Sequence, residues 1–420
     1  MTISLFLFII KRIIFENVGL MKENINIGLF IDTFYPMLDG VINVVDNYAR
    51  QLNEIEGVNV IVFAPKSRLN NFDDKTLPYS VVRCKRINLK MLRLDYDLPT
   101  PKFDKHFKKI LKESKLDIIH IHSPFSIGRM AANYGKKHNI PVVGTFHSQF
   151  KKDFYKSTKS KLMTKILLKK IMRVFNKCDV LWTMNPACVE LAKSYGYRGR
   201  VEIIPNATNL SDKFDADELS AMKLEIRKKY NISSEEKVFI NIGRLNKLKN
   251  LDFVIEVCKK LKDENFKFKL LLIGDGNEKK YFVNKVEKLG LENEIVFVGK
   301  ITSTEEKSKY FASADLQIFP SYYDTDGIVR IEAAAFCVPT IMIKNSIASS
   351  TICDNINGYI GENDIDAFAK KIIDIFANKS IYERVKEKCH EDLYINWEGL
   401  VLKVFENYKQ LIEVKKCEKI

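Results

Sequence analysis

Short apolar runs alternate with longer helical patterns along the whole chain, and this alternation constrains the fold more than any other feature. The runs that we predict as strands in the first half are Ile27–Asp32, Val58–Ala64, Ile118–His122, Val142–Phe146 and Val180–Met184. Those in the second half are Lys237–Gly243, Lys269–Gly274, Ile295–Gly299, Leu316–Phe319 and Thr340–Lys344. Such alternation is typical of βα units with parallel strands. We therefore predict an α/β protein with two doubly wound, Rossmann-like sheets of about five or six strands each.

The length of 420 residues is too great for one ordinary core, so we expect two domains. We predict an N-terminal domain over residues 21–205, a C-terminal domain over 206–392, and a C-terminal helix over 393–420 that packs back on the N-terminal domain. Residues 1–20 contain an apolar run that is too short to span a bilayer and lacks the positive start of a signal peptide. We interpret them as an extension or a start-site artefact.

Charge and cysteine content narrow the classes of function. A net charge of +15 favours an anionic partner, although a Lys- and Asn-rich composition can also reflect genome bias. No two of the eight cysteines are spaced as C-x-x-C, and no His–Cys cluster has zinc spacing. This pattern is typical of a reduced cytosolic protein without a structural metal.

Two carboxylates, Asp324 and Glu332, lie where the sequence changes from a loop to a helix. Asp324 follows the strand-like Leu316–Phe319, and Glu332 falls in the first turns of the helix. The positive end of a helix dipole favours negative groups there, and carboxylates accept hydrogen bonds from sugar hydroxyls. The segment therefore suits a nucleotide-sugar site. The alternative is an ordinary acidic helix start, which is common in α/β proteins.

Other candidates follow predicted strands, where ligands of such sheets bind. Gly40 precedes a helical pattern and would let backbone N–H groups approach a diphosphate, although a simple loop glycine is equally consistent. Arg244 and Lys249 could neutralise a diphosphate, or they form a basic loop in a basic protein. Gly274 belongs to a glycine turn that could line the same cleft.

Three histidines lie on or after predicted strands. His120 and His122 share one strand face, without an apparent third metal ligand. We interpret His120 as a satisfied buried histidine and His122, at the strand end, as a candidate for hydrogen bonding to a sugar. His147 ends the next strand and could line the same cleft.

The segment 151–178 carries ten Lys or Arg residues against one Asp. Its basic residues recur every four positions, at Lys161, Lys165, Lys169 and Arg173, and apolar residues occupy another face. This pattern predicts a basic amphipathic helix at an anionic membrane surface. A solvated basic face over a buried apolar face is the alternative. Without an accompanying nucleic-acid-binding motif, we do not expect nucleic acid as a partner.

The chain resembles family-4 retaining glycosyltransferases of the two-domain GT-B fold, over roughly residues 25–410. Within that family it is most similar to bacterial 1,2-diacylglycerol 3-glucosyltransferases. Each motif is weak alone, but the ordered set is specific. The set comprises Asp39-Gly40-Val41, the runs His120–Ser126 and Gly144–His147, Ile204-Pro205-Asn206, Gly243-Arg244, Lys249-Asn250, Gly274-Asp275-Gly276, and Asp324 with Glu332.

The resemblance implies two domains that face each other across a cleft, and a role for each matched position. Arg244 and Lys249 would bind the nucleotide diphosphate, Glu332 the ribose, and Asp324 the donor hexose. Gly40 would approach the phosphates and His122 would lie beside the transferred sugar. Gly274 and Gly327 complete the donor-binding set, and His147 with the basic helix would face the acceptor or membrane.

The implied reaction moves a hexose, glucose from UDP-glucose, to a membrane lipid such as 1,2-diacylglycerol. It needs no metal and no tightly bound cofactor, and the enzyme would lie in the cytoplasm, peripheral on the inner face of the cell membrane. The chain departs from the family pattern at Asp324, Asp326, Ala207, Cys337 and Ser350. A polysaccharide, glycolipid or phosphatidylinositol acceptor, or a catalytically silent nucleotide-sugar-binding protein, are the alternatives.

Overall fold

The computed structural model describes residues 24–37, 39–67, 72–87, 98–210 and 214–418. The expectation for residues 1–20 therefore lies outside the described residues. The described chain forms two parallel sheets, with α-helices between most successive strands.

Seven strands form the first sheet. Between its third and fourth strands in sequence lie two short strands that pair antiparallel to each other and form a separate hairpin. The sheet strands are β1 Ile25–Phe30, β2 Val58–Pro65, β3 Ser80–Cys84, β6 Ile118–Ile121, β7 Val142–Thr145, β8 Val180–Thr183 and β9 Arg200–Ile203; the hairpin is β4 Arg86–Ile87 with β5 Leu98–Pro99. The sheet order is β3–β2–β1–β6–β7–β8–β9. The pairs β1–β2, β2–β3, β1–β6, β6–β7 and β8–β9 are parallel.

Six α-helices lie in this part of the described chain, and four of them begin at polar capping residues. The six are α1 Gly40–Asn53, α2 Lys105–Glu113, α3 Ser126–His138, α4 Phe150–Thr158, α5 Lys161–Phe175 and α6 Pro186–Ser194. The side chains of Asp39, Asp104, Ser160 and Asn185 accept hydrogen bonds from the first turns of α1, α2, α5 and α6. Such bonds satisfy backbone N–H groups that have no partner inside the helix.

The second sheet has six parallel strands. They are β10 Lys237–Ile242, β11 Phe268–Ile273, β12 Ile295–Gly299, β13 Leu316–Phe319, β14 Thr340–Ile343 and β15 Tyr359–Gly361, in the order β12–β11–β10–β13–β14–β15. Phe239 packs into one core cluster, whereas its neighbours Val238 and Ile240 pack into another. Because successive side chains of a strand point to opposite faces, both faces of this sheet are covered.

Eight α-helices follow β9 in the described residues. They are α7 Ala216–Lys229, α8 Leu251–Asp263, α9 Lys279–Lys288, α10 Thr304–Ser313, α11 Ile328–Ala335, α12 Ile365–Ala377, α13 Lys379–Leu393 and α14 Trp397–Cys417.

The chain divides into two compact units that do not follow chain order. The first takes the described residues up to Gly144, Lys177–Asp179, and the described residues from Phe405 onward. The second takes Thr145–Asn176 and Val180–Val404. Within the first unit, the end of α14 packs against strand β6, where the Tyr408 hydroxyl lies 2.6 Å from Nδ1 of His120.

The predicted fold class is confirmed, and all ten predicted strands are present with ends shifted by a few residues. The predicted size of the first sheet is wrong, since it has seven strands. The three additional sheet strands are β3, β9 and β15, and each lies at a sheet edge.

Candidate active site

The loop between β13 and α11 carries Asp324, and the second turn of α11 carries Glu332. Gly327 ends this loop with a φ of +78°, a left-handed conformation that favours glycine. A Cβ at this position would lie 2.7 Å from the ring of Phe319, so a larger residue would displace the strand or the loop. The predicted placement of both carboxylates, one on a loop and one early in a helix, is therefore confirmed.

Asp324 forms an ion pair with Lys249. The Nζ of Lys249 lies 2.6 Å from Oδ1 of Asp324, and the two side chains are 22% and 19% exposed. The Oδ2 of Asp324 is buried and accepts no hydrogen bond within the described ranges. The structure thus brings together two predicted site residues that are 75 positions apart and leaves an acceptor oxygen beside them.

Arg244 lies in the loop after β10, and its side chain is exposed. The neighbouring turn at Gly274 shapes this loop, because a Cβ at Gly274 would lie 1.9 Å from the carbonyl oxygen of Gly243. The backbone N–H of Leu245 also donates to the carbonyl of Asp275 at 3.0 Å. Close backbone approach therefore explains Gly274 by itself, whereas contact of Gly274 with a donor remains a prediction.

Glu332 is 9% exposed and has a partner that the sequence did not indicate. The Nζ of Lys307, on α10, donates to Oε1 of Glu332 at 2.5 Å. No spacing rule links these residues, since they lie on different helices 25 positions apart. The Oε2 of Glu332 is buried and has no hydrogen-bond donor among the described residues.

A buried ion pair fixes the junction between the loop and α11. Asp326 and Arg330 are 2% and 4% exposed, and a nitrogen of Arg330 lies 2.9 Å from Oδ1 of Asp326. The Nδ2 of Asn206 donates to the other oxygen of Asp326 at 2.7 Å. Both oxygens of this carboxylate are thus satisfied, as burial of a charge requires. Asp326 therefore serves to hold the loop.

Side chains from two other segments of the second unit hold the same loop. The Nε2 of Gln149 donates to the carbonyls of Tyr322 and Tyr323 at 2.9 and 2.7 Å. The Nδ2 of Asn185 donates to the carbonyl of Thr325 at 2.7 Å. Neither residue could be identified as a site residue from the sequence, because a side chain that binds the backbone carbonyls of a distant loop belongs to no recognisable sequence motif.

His147 also contacts this loop, since its backbone carbonyl accepts a hydrogen bond from the Thr325 hydroxyl at 2.7 Å. Removal from water lowers the pKa of the His147 ring to about 4, because desolvation disfavours the charged form. The ring is therefore neutral near pH 7 and supplies no positive charge there. Its predicted role toward an acceptor remains a prediction.

Gly40 and His122 belong to the first unit. Gly40 is the first residue of α1, and a Cβ there would meet no heavy atom within 4 Å, so packing does not require glycine. His122 is 3% exposed, and its ring centroid lies 3.9 Å from that of His120. The contact of His120 with Tyr408 confirms the interpretation of His120 as a satisfied buried histidine.

The basic segment forms two helices rather than the single predicted one. Lys159 has a φ of +51° and ends α4, and Ser160 caps α5. On α5, the predicted lysines Lys161, Lys165 and Lys169 and the predicted Arg173 are all exposed. Buried residues line one face: Thr164, Ile171, Met172, Val174 and Phe175. Leu162, Met163 and Ile166 are exposed by 68%, 44% and 40%, so the start of α5 presents apolar side chains among lysines.

Within the described ranges, no helix combines the length and the apolar character that crossing a bilayer requires. In the same part of the chain, no three His, Cys, Asp or Glu side chains lie together in a way that could hold a metal ion.

Two family models match successive parts of the chain. Residues 38–212 match Glycosyltransferase Family 4, and residues 222–392 match Glycosyl transferases group 1. Both matches include predicted site residues.

Similar proteins cover most of the chain. An alpha-monoglucosyldiacylglycerol synthase from Streptococcus pneumoniae is 27% identical over 345 residues, which are 81% of this chain and 76% of that protein. A synthase of the same name from Acholeplasma laidlawii is 26% identical, over 84% of this chain and 89% of that protein. The solved structure of HepE from Anabaena, in complex with UDP-glucose, has a TM-score of 0.70 at 14% identity and covers 92% of this chain and 99% of that one. With the two parallel sheets, these matches show that the chain belongs to the GT-B glycosyltransferases, with a family-4 domain followed by a group 1 domain.

Proposed function

We propose that this glycosyltransferase moves glucose from UDP-glucose to a 1,2-diacylglycerol-type lipid, with retention of configuration. The observation that carries the proposal is the pair of buried carboxylate oxygens, Oδ2 of Asp324 and Oε2 of Glu332, that lack donors among the described residues. Buried acceptors without partners are costly, and a ligand rich in hydroxyl groups would satisfy them. The cation of Lys249 beside Asp324 adds a partner for a diphosphate.

In this proposal, the matched residues bind and orient the donor. Arg244 and Lys249 neutralise the charge that develops on the leaving diphosphate, which is where electrostatic stabilisation contributes most to such a transfer. Glu332 holds the ribose and Asp324 the hexose hydroxyls. Gly40 and His122 keep the roles that the family resemblance gives them, near the phosphates and the transferred sugar. The remaining contribution is orientation of the acceptor hydroxyl.

The choice of donor and acceptor rests on similar proteins and on the surface of α5. Two similar proteins are named alpha-monoglucosyldiacylglycerol synthases, and HepE, which shares the fold, was solved with UDP-glucose. Exposed Leu162, Met163 and Ile166 among lysines match a helix that lies in an anionic membrane interface. We therefore propose a cytoplasmic enzyme that is peripheral on the inner face of the cell membrane.

A panel of substrates tests this function. The purified protein is incubated with UDP- or GDP-sugars and anionic liposomes that contain diacylglycerol, and lipid products are identified by mass spectrometry. Hexosyl-diacylglycerol from UDP-glucose is the expected product. Hydrolysis of a nucleotide sugar without this product would favour a polysaccharide, glycolipid or phosphatidylinositol acceptor. Binding of a nucleotide sugar without hydrolysis or transfer would favour a catalytically silent nucleotide-sugar-binding protein.

Reversing the charge of α5 is expected to weaken membrane binding. Each lysine near an anionic surface contributes about 1 kcal/mol, so replacing Lys161, Lys165 and Lys169 with Glu should reduce affinity for anionic liposomes by roughly 100-fold or more. Co-sedimentation with liposomes measures the effect. The matched control replaces the exposed Lys370, Lys379 and Lys403 with Glu, which changes the net charge equally. Equal binding by both triple variants would reject α5 as the membrane-facing surface.

A further inference from the structure

The two oxygens of the Glu332 carboxylate have different surroundings. Oε1 accepts the hydrogen bond from Lys307 at 2.5 Å, whereas Oε2 is buried without a donor in the described chain. The residue as a whole is 9% exposed, so water has little access to it. Buried polar atoms are normally hydrogen-bonded, and an exception in a candidate site indicates an acceptor that is kept for a ligand.

Lys307 is well placed to hold this carboxylate still. It lies in the first half of α10, whose start is capped by the hydroxyl of Ser303, 3.2 Å from the N–H of Glu306. Tyr310 and Phe311 of the same helix are buried in a core cluster, which fixes the helix against the sheet. The Lys307 side chain is 24% exposed. A charge-assisted hydrogen bond from a fixed helix restricts the rotation of the Glu332 carboxylate.

We propose that Lys307 is a positioning residue for recognition of the donor nucleotide. It fixes Oε1 of Glu332 and leaves Oε2 as the single acceptor for a ribose hydroxyl. This inference rests on the proposed function, because it takes Glu332 as the ribose-binding residue. It predicts that affinity depends on one ribose hydroxyl more than on the other, and that this preference requires Lys307.

The test measures binding of UDP, 2′-deoxy-UDP and 3′-deoxy-UDP to the full chain by titration calorimetry. Lys307→Met keeps the length of the side chain and removes its charge, and we expect about tenfold weaker binding of UDP. The wild type should bind one of the two deoxy-nucleotides more weakly than the other, and the variant should bind both with equal affinity. Lys307→Arg should restore the affinity for UDP and this difference. Lys309→Met is the control, because Lys309 lies on the same helix but pairs with Glu225, at 2.9 Å, and should bind as the wild type does.

Two results on the variants would overturn the inference. Lys307→Met could bind UDP with unchanged affinity and discrimination, which would show that Lys307 does not act on the site. It could also weaken all three nucleotides by the same factor with a lowered melting temperature, which would show a structural role only. A wild-type protein that binds neither UDP nor GDP would instead reject the proposed function, and with it the inference.

Discussion

Replacing Lys249 with methionine is expected to reduce the rate of sugar transfer about 10²–10³-fold while the protein remains folded. Lys249 lies in the loop after β10, and its ammonium is only partly exposed. A preorganised charge of this kind stabilises a leaving diphosphate more than water does, because it needs no reorganisation during the reaction. Methionine preserves much of the apolar stem and removes the charge, so the loss should appear mainly in kcat.

The control for this variant lies two residues earlier. Lys247 belongs to the same short helical turn, but its ammonium lies 4.4 Å from the ring centroid of Tyr281 rather than beside Asp324. Lys247→Met should therefore retain activity within a few-fold of the wild type. The assignment of Lys249 to the diphosphate would be wrong if Lys249→Met kept wild-type kcat, or if both variants lost activity equally.

Replacing Arg330 with methionine is expected to lower the free energy of unfolding by about 3–5 kcal/mol. The variant leaves the carboxylate of Asp326, which is 2% exposed, without its cation. An uncompensated buried charge is far more costly than the loss of a surface ion pair. Because Asp326 holds the loop that carries Asp324, activity should fall as well.

A double variant distinguishes two contributions to the lost stability, the unpaired charge of buried Asp326 and the lost packing of the Arg330 side chain. Combining Arg330→Met with Asp326→Asn removes both charges and keeps a side chain that can accept from Asn206, so it should recover most of the lost stability. Urea unfolding of the single and double variants measures this coupling. Equal destabilisation of both would show that the effect of Arg330 is packing and not charge compensation.

The interior strands of both sheets could be predicted from sequence, whereas three of the four edge strands could not. Interior strands such as β11 and β13 are apolar at all positions but one, Lys269 in β11 and Gln317 in β13, because helices cover both faces. The edge strand β9 is exposed or half-buried at every position, and its sequence Arg-Val-Glu-Ile carries no continuous apolar run. The edge strand β15 has only three residues. The signal that identifies buried parallel strands is therefore weak in these two edge strands, whereas the edge strand β12, with the sequence Ile-Val-Phe-Val-Gly, carries a continuous apolar run and could be predicted.

In the candidate site, too, some residues could be predicted from the sequence and others could not. Asp324 and Glu332 could be placed because a strand, a loop glycine and a helix follow one another in sequence. Their partners Lys249 and Lys307 come from other βα units, and only the folded sheet brings them near. The sequence indicated Lys249 through its motif, but it gave no sign of Lys307. The break between α4 and α5 could not be predicted either. The four-residue spacing of basic side chains starts at Lys161, and nothing in it indicates that Lys159 has a left-handed backbone conformation.

The most direct test of the account is the transfer of glucose from UDP-glucose to diacylglycerol in anionic liposomes, measured side by side for the wild type, Arg244→Ala and Glu332→Ala. The wild type is expected to form glucosyl-diacylglycerol with the α configuration, and both variants are expected to lose most of this activity. No glucosyl-diacylglycerol from the wild type, or equal product from all three proteins, would contradict the proposed function.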